Sequence, residues 1–273
     1  YNTFIEYQDK VDVFYVAFSG GKDSVVALDL VQRALPHNCF KVLFGDTGME
    51  FPDTYETVEK IKQICAEEKI EFLQAKSKLK PENTWQIFGP PAVTIRWCCS
   101  VHKTTPQIMQ LREVLQKPDF TGMAFTGVRG DESLSRSEYD AISYGGKHSG
   151  QYSCHPILEW NTAELFLYIY ENGLTFNNAY KKGNTRAGCL VCPMSQGKHD
   201  YMKYKNYPDD TDLFINKIIT TSGKNFSKEN YDRFPLNDVV GMNDSPRQHC
   251  EKIAEISFLY LLEKFFISRY KCR

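Results

Sequence analysis

The chain has 273 residues, an apolar fraction of 42%, a charged fraction of 25% and a formal net charge of −1. These values fit one large soluble domain, or one domain with an appendage, and exclude a generally basic nucleic-acid coat. No run approaches the roughly 18 apolar residues needed to span a bilayer, and no export signal opens the chain. The expected compartment is therefore the cytoplasm, with no membrane partner.

Residues Tyr1 to Lys10 read as a short helix or lead-in. Val13 to Phe18 is an apolar strand. It runs into Ser19-Gly20-Gly21-Lys22-Asp23-Ser24 and then a helix whose Val25, Leu28 and Val31 recur at helical spacing. Paired glycines let the backbone pass close to a bulky anion. A helix start offers unpaired N–H groups that favour phosphate. Ser19, Lys22 and Ser24 add donors, and Asp23 is expected to help position Mg²⁺ or the nucleotide. The spacing is not that of a Walker A loop. The plain alternative is a strand–turn–helix that merely needs glycine.

A second strand, Phe40 to Phe44, stops at Gly45-Asp46-Thr47-Gly48; a polar helix over Thr54 to Lys69 and a third strand over Ile70 to Leu73 follow. Strands alternating with helices predict a parallel sheet with right-handed crossovers. Ligands gather beyond the carboxyl ends of such strands, where Ser19–Ser24 and Asp46–Gly48 both fall. Lys76 to Pro91 reads as irregular. Arg96-Trp97-Cys98-Cys99-Ser100-Val101-His102-Lys103 precedes a helix with Pro106 near its start and Ile108, Leu111, Val114 and Leu115 on its apolar face. Met123 to Thr126 is a fourth strand. It leads to Gly127-Val128-Arg129-Gly130-Asp131-Glu132-Ser133 and Arg136, whose basic groups suit an anion; the plain alternative is a solvated turn. Gly145 to Gly150 reads as a mobile hairpin or loop and His155 to Leu158 as a short strand. Asn161 with Glu164 forms a capping box opening a helix that Gly173 closes. One further amphipathic helix is predicted over about Pro246 to Tyr270. The expected domains are 1–195 and a mostly helical extension, 196–273.

Nine cysteines in a chain without an export signal argue against a disulfide framework. Cys39 and Cys65 sit among apolar neighbours and read as core thiols. Cys189-Leu190-Val191-Cys192-Pro193 has the geometry of a metal grip, and the adjacent Cys98-Cys99 completes a set of four. Thiolates in fours hold zinc or iron–sulfur clusters. Adjacent cysteines suit a cubane, whose corners are separated, better than a zinc knuckle. Zinc and inert core thiols are the alternatives.

The Ser-Gly-Gly-x-Asp-Ser turn resembles the PP-loop of N-type ATP pyrophosphatases, which bind ATP and cleave between its α and β phosphates. Asp46-Thr47-Gly48, Arg96-Trp97-Cys98-Cys99, Gly127-Val128-Arg129 with Glu132-Ser133 and Arg136, Pro156-Ile157 with Trp160, and Gly188-Cys189-Leu190-Val191-Cys192-Pro193 extend the likeness. Together they resemble the phosphoadenosine phosphosulfate (PAPS) reductase family over roughly Val13 to Met194. The resemblance implies an α/β fold: a doubly wound, mostly parallel sheet of the adenine nucleotide α-hydrolase-like type with a helical C-terminal appendage. Cys-Cys followed about ninety residues later by Cys-x-x-Cys is similar to cluster-binding adenylylsulfate (APS) reductases. By that likeness Cys98, Cys99, Cys189 and Cys192 ligate [4Fe–4S]. The nucleotide lies on Ser19–Ser24 near Asp46, Thr47 and Gly127, with Lys103, Arg129 and Arg136 toward its anionic end.

Two features depart from the reductases. Their C-terminal Cys-Gly-Leu/Ile-His motif does not occur in the sequence; Cys250 and Cys272 lack a following glycine and histidine. The PP-loop is intact, whereas theirs is usually degraded. Both favour ATP·Mg²⁺ as ligand and activation of an acceptor for sulfur transfer, with Lys22, Asp23, Arg129 and Lys103 as the catalytic set. A sulfur-donor protein and a nucleic-acid or small-molecule acceptor are the implied partners. The competing expectations are an APS or PAPS reductase releasing sulfite, and a nucleotide-binding iron–sulfur subunit of a larger complex without catalysis of its own.

Overall fold

A computed structural model describes residues 1–91, 96–145, 150–195 and 197–225. The predicted helix over 246–270 lies outside them, as do Cys250 and Cys272 and residues 146–149 of the glycine-rich loop. The chain divides into two compact units. The first comprises Tyr1–Ser77, Val101–Lys181 and Arg186–Gly188; the second comprises Lys78–Ser100, Lys182–Thr185 and the described residues from Cys189 onward. No helix among the described residues is long and apolar enough to cross a membrane.

The first unit opens with α1 (Asn2–Tyr7), β1 (Val13–Phe18), α2 (Lys22–Ala34), β2 (Lys41–Asp46), α3 (Pro52–Glu67) and β3 (Glu71–Lys76). In the second unit lie α4 (Pro81–Phe88) and the short α5 (Trp97–Cys99). The first unit resumes with α6 (Thr105–Leu115), β4 (Gly122–Phe125), α7 (Leu134–Ser137), β5 (Ile142–Tyr144), β6 (Gln151–Cys154) and α8 (Thr162–Glu171). After residue 195 the described chain forms α9 (Gly197–Asn206) and α10 (Pro208–Asn225), both in the second unit.

The six strands form one sheet in the order β3-β2-β1-β4-β6-β5. All pairs are parallel except β5 with β6. The apolar run of β1 is the sequence of a central strand covered on both faces. Phe14, Val16 and Phe18 point to one side, with Val25, Leu28 and Val31 of α2 and Val58 and Ile61 of α3. Val13 and Tyr15 point to the other, with Leu111 of α6 and its neighbours Ile108, Val114 and Leu115. Helices on both faces of a mostly parallel sheet make this a doubly wound α/β fold. Val16 pairs with Val42 of β2 on one side and Phe125 of β4 on the other, so the strand order switches at β1 and β4. In such sheets the ligand crevice lies beyond the carboxyl ends of the strands at that switch.

Three local expectations are corrected. The stretch read as irregular contains α4, because Pro81 sits at the first helical position, where the missing N–H costs nothing. Trp85 of α4 is buried and packs at 5.3 Å, centroid to centroid, on Phe214 of α10. His155 to Leu158 is a turn rather than a strand, and the strand precedes it as β6. That strand hides its pattern, since its buried Gln151 and Ser153 satisfy each other at 3.0 Å. Cys39 is half-buried on a 3₁₀ turn, while Cys65 is in the core as expected.

Two glycines are required by geometry. Gly20 has φ +72°, and a Cβ there would lie 2.8 Å from Thr54 Cγ2. Gly127, just beyond β4, touches the first turn of α2. A Cβ there would lie 2.5 Å from the Asp23 carbonyl carbon and oxygen and 2.8 Å from the Ser24 nitrogen.

Gly127→Ala is expected to lower unfolding free energy by about 1–3 kcal/mol, because backbone rather than a flexible side chain must give way; urea denaturation measures it. At α8 the Asn161 side chain accepts from Ala163 and Glu164 N–H while Glu164 accepts from Asn161 N–H. Asn161→Ala is expected to cost about 1 kcal/mol in the same assay.

Candidate functional site

The turn after β1 is held in shape by its own serines. Ser24 Oγ donates to Gly21 O at 2.8 Å and accepts from Ser19 N–H at 3.2 Å. Ser19 Oγ lies 3.1 Å from Ser24 Oγ. Asn177 anchors the turn from far along the chain, donating to Gly20 O at 2.9 Å and to Thr54 Oγ1 at 3.0 Å. Tyr180 Oη accepts the Lys22 backbone N–H at 3.0 Å.

The Asp23 carboxylate bridges two cations. Lys22 Nζ lies 2.8 Å from Oδ2, and Arg129 Nε donates to Oδ1 at 2.7 Å. Both cations are buried. Burial pushes the Lys22 ammonium below its usual pKa, against the opposing pull of Asp23. Arg129 also donates to Asp131 at 3.2 Å, Thr162 Oγ1 at 3.2 Å and the Trp160 carbonyl at 3.4 Å. Its guanidinium is thus tied to α2, to its own loop and to the start of α8. Arg136 pairs with Glu132, and Arg186 approaches the same carboxylate at 3.5 Å. Burial and the neighbouring Arg186 charge push Arg136 below the usual guanidinium range.

Asp46 and Thr47 form a separate network at the end of β2. Asp46 accepts from Gly48 N–H at 2.9 Å, Tyr55 Oη at 2.9 Å and Gln74 at 3.1 Å, and pairs with Lys76 at 3.1 Å. Burial works to raise its pKa, but the Gly48, Lys76 and Tyr55 contacts outweigh that and hold it below the usual carboxylate value. Thr47 donates to Glu50 at 3.0 Å. Lys103 lies in a π-helical turn, Ser100–Thr104, with its stem against β2; a Cβ on Gly45 would come within 3.2 Å of its Cγ.

The structure brings all four cysteines of the expected set into the second unit. Cys98 is buried on α5, Cys99 is exposed beside it, and Cys189 and Cys192 are half-buried on one turn closed by Cys192 N–H to Cys189 O at 3.2 Å. A shared hydrogen bond with Cys99, then burial, then the charges of Cys99, Cys189 and Cys192 push the Cys98 thiol up. Among the described residues no three histidine, cysteine or carboxylate side chains are arranged to hold a metal ion. As a donor set, four soft sulfurs fit an iron–sulfur group in chemistry. Lys203 on α9 is buried with Asp200 at 3.5 Å; burial lowers its pKa against the pull of Asp200, Cys192 and Cys189.

Sequence reasoning missed Asn177, Tyr180 and Arg186. The one available signal was polar residues clustered before Gly188-Cys189, and nothing in that stretch names its partner on the turn after β1.

A family model described as the phosphoadenosine phosphosulfate reductase domain matches residues 14–195. An uncharacterized protein of Methanocaldococcus jannaschii is 33% identical over 192 residues, 69% of this chain and 38% of that protein. A second from the same organism is 32% identical over 71% of this chain and 44% of its own length. The chain thus spans about two fifths of the length of these two relatives. An adenosine 5′-phosphosulfate reductase of Geobacillus kaustophilus is 28% identical over 68% of this chain and 75% of its own. Among solved structures, a PAPS reductase from Candida auris in a phosphate complex aligns with a TM-score of 0.51 at 20% identity, over 69% of this chain and 86% of that one. At that identity the likeness shows the fold. With two thirds of its residues matched by the family model, and the glycine turn, the Gly127–Arg129 loop and the four cysteines all inside the match, this chain belongs to the PAPS reductase domain family.

Proposed function

We propose that the chain binds ATP·Mg²⁺ on the Ser19–Ser24 turn and activates an acceptor for sulfur transfer. The observation that carries this reading is the Lys22–Asp23–Arg129 chain of charges at an intact glycine turn. Main-chain N–H groups at the start of α2 hold phosphate oxygens, and the Lys22 ammonium neutralises them. Asp23 orients the metal ion. Arg129 directs Nε at Asp23 and Nη1 at Asp131, Trp160 and Thr162, so part of its role is to hold Asp23 in place. Asp46, Thr47 and Gly127 border the nucleotide, while Lys103 and Arg136 face its anionic end. A nucleophilic oxygen of the acceptor attacks the α-phosphorus, its bond to the β-phosphate bridging oxygen breaks, and pyrophosphate leaves. Positioning and charge stabilisation supply most of the acceleration. The adenylated centre is then open to a sulfur nucleophile, with AMP as leaving group.

Cys98, Cys99, Cys189 and Cys192 would hold a [4Fe–4S] cluster, which supplies electrostatic stabilisation or, with three ligands and one open iron, a site for sulfide. A sulfur-donor protein and a nucleic-acid or small-molecule acceptor complete the reaction. A second reading, sulfonucleotide reduction with sulfite release, is favoured by the likeness to the Geobacillus APS reductase. The test separates them: protein purified without oxygen is incubated with ATP, APS or PAPS, and pyrophosphate and sulfite are assayed. Pyrophosphate from ATP in the presence of acceptor supports the proposal. Sulfite from a sulfonucleotide, without pyrophosphate from ATP, replaces it with the reductase.

Asp23→Ala is expected to reduce pyrophosphate release about 100-fold or more, on the scale of losing one preorganised charge contact. Because burial lowers the Lys22 pKa below 10.5, ATP affinity is expected to fall as pH rises through that lowered value. Lys22→Met should bind ATP more weakly and lose that alkaline limb, as titration calorimetry across pH would read. Cys98→Ser and Cys192→Ser are each expected to lower iron per chain and visible absorbance after anaerobic purification, whereas Cys39→Ser leaves both unchanged.

A further inference from the structure

Gly21 is the N-cap of α2 and has no side chain with which to cap it. The first helical N–H, that of Lys22, is instead taken by a residue far away in sequence, through the 3.0 Å bond to Tyr180 Oη. That oxygen sits directly over the glycine turn: a Cβ on Gly21 would lie 3.1 Å from it. An unpaired backbone N–H at a helix start is the donor otherwise offered to a phosphate oxygen.

We infer that the Tyr180 hydroxyl is a built-in stand-in for a phosphate oxygen at the start of α2, and that a nucleotide binds by displacing it. The inference rests on the proposal that this turn holds phosphates. Tyr180 is then a positioning residue: it keeps the turn in its binding shape when no ligand is present. Burial pushes its pKa up, so the group competing with phosphate is a neutral phenol. Charged acceptors form shorter and roughly twice stronger bonds to the same donors. The segment carrying Tyr180 is fastened independently of the hydroxyl. Asn177 holds Gly20 and Thr54, and Gly188 O accepts Phe51 N–H at 3.3 Å. The Tyr180 ring rests on Phe176, with centroids 5.2 Å apart, and the Lys22 ammonium lies 5.4 Å from the ring centre. A side-chain rotation therefore frees the N–H without unfastening the segment.

The experiment uses the full chain, purified without oxygen, as wild type and as Tyr180→Phe. Calorimetry measures binding of ATP with Mg²⁺ and, separately, of inorganic pyrophosphate. Removing the competing oxygen is expected to tighten pyrophosphate binding by about 3- to 10-fold, the scale of one ordinary hydrogen bond. In parallel, 3-fluorotyrosine placed at position 180 should shift its ¹⁹F resonance when pyrophosphate is added. Weaker or unchanged binding by Tyr180→Phe, or a fixed resonance while ligand binds, overturns the inference. If Tyr180→Phe does not fold, the fluorine measurement decides alone. Tighter binding to Tyr180→Phe with no pyrophosphate release from ATP keeps the displacement and removes the activation chemistry. Weaker binding with normal pyrophosphate release does the reverse. Failure of both proteins to bind either probe removes both.

Discussion

The contact on which the rest of the first unit depends is the approach of Gly127 to the backbone of Asp23 and Ser24. It sets the loop after β4 against the first turn of α2 with no side chain between them. Two strands adjacent in the sheet thus have their carboxyl ends joined as well. Arg129, two residues on, is thereby delivered to the Asp23 carboxylate, and Asp131 to Arg129 and Thr162. From one main-chain contact the order spreads through an ion pair to the capped start of α8. A larger residue at position 127 would separate the parts that these charges hold together.

The electrostatics of the crevice follow from that arrangement. Lys22, Arg129, Arg136 and Arg186 are set among Asp23, Asp131 and Glu132, four cations to three carboxylates. Lys22 and Arg136 both have their charged forms disfavoured by burial, and each also feels Arg129 and Arg186. With Lys22 and Arg129 buried and Arg136 and Arg186 nearer solvent, one positive charge is in excess, which suits an anion such as phosphate. Asp23 cannot balance the set alone, because Lys22 and Arg129 already share its two oxygens.

Much of this was legible in the residues. β1, its glycine turn and α2 could be read because a continuous apolar run, two glycines and a helical stripe follow one another without ambiguity. The start of α8 could be read because a capping box is a local code. The four cysteines could be singled out by spacing alone, and they fall in one unit. What escaped was non-local or disguised. α4 was hidden by prolines that end helices elsewhere and open one here. β6 was hidden by buried polar residues that satisfy each other. Asn177 and Tyr180 act on a turn more than 150 positions earlier, and nothing in a sequence records such a pairing. The family resemblance, carried by motifs scattered over the first two thirds of the chain, reached further than periodicity did.

The turn after β1 would grip its ligand largely through peptide nitrogens, which every residue except proline carries. Routine side-chain truncation leaves those nitrogens in place, so a scan by alanine would under-report this region and credit the surrounding charges instead. The informative perturbations are those that edit the main chain itself, such as an amide-to-ester exchange at Lys22. Selection acting on this segment would likewise conserve shape before chemical identity.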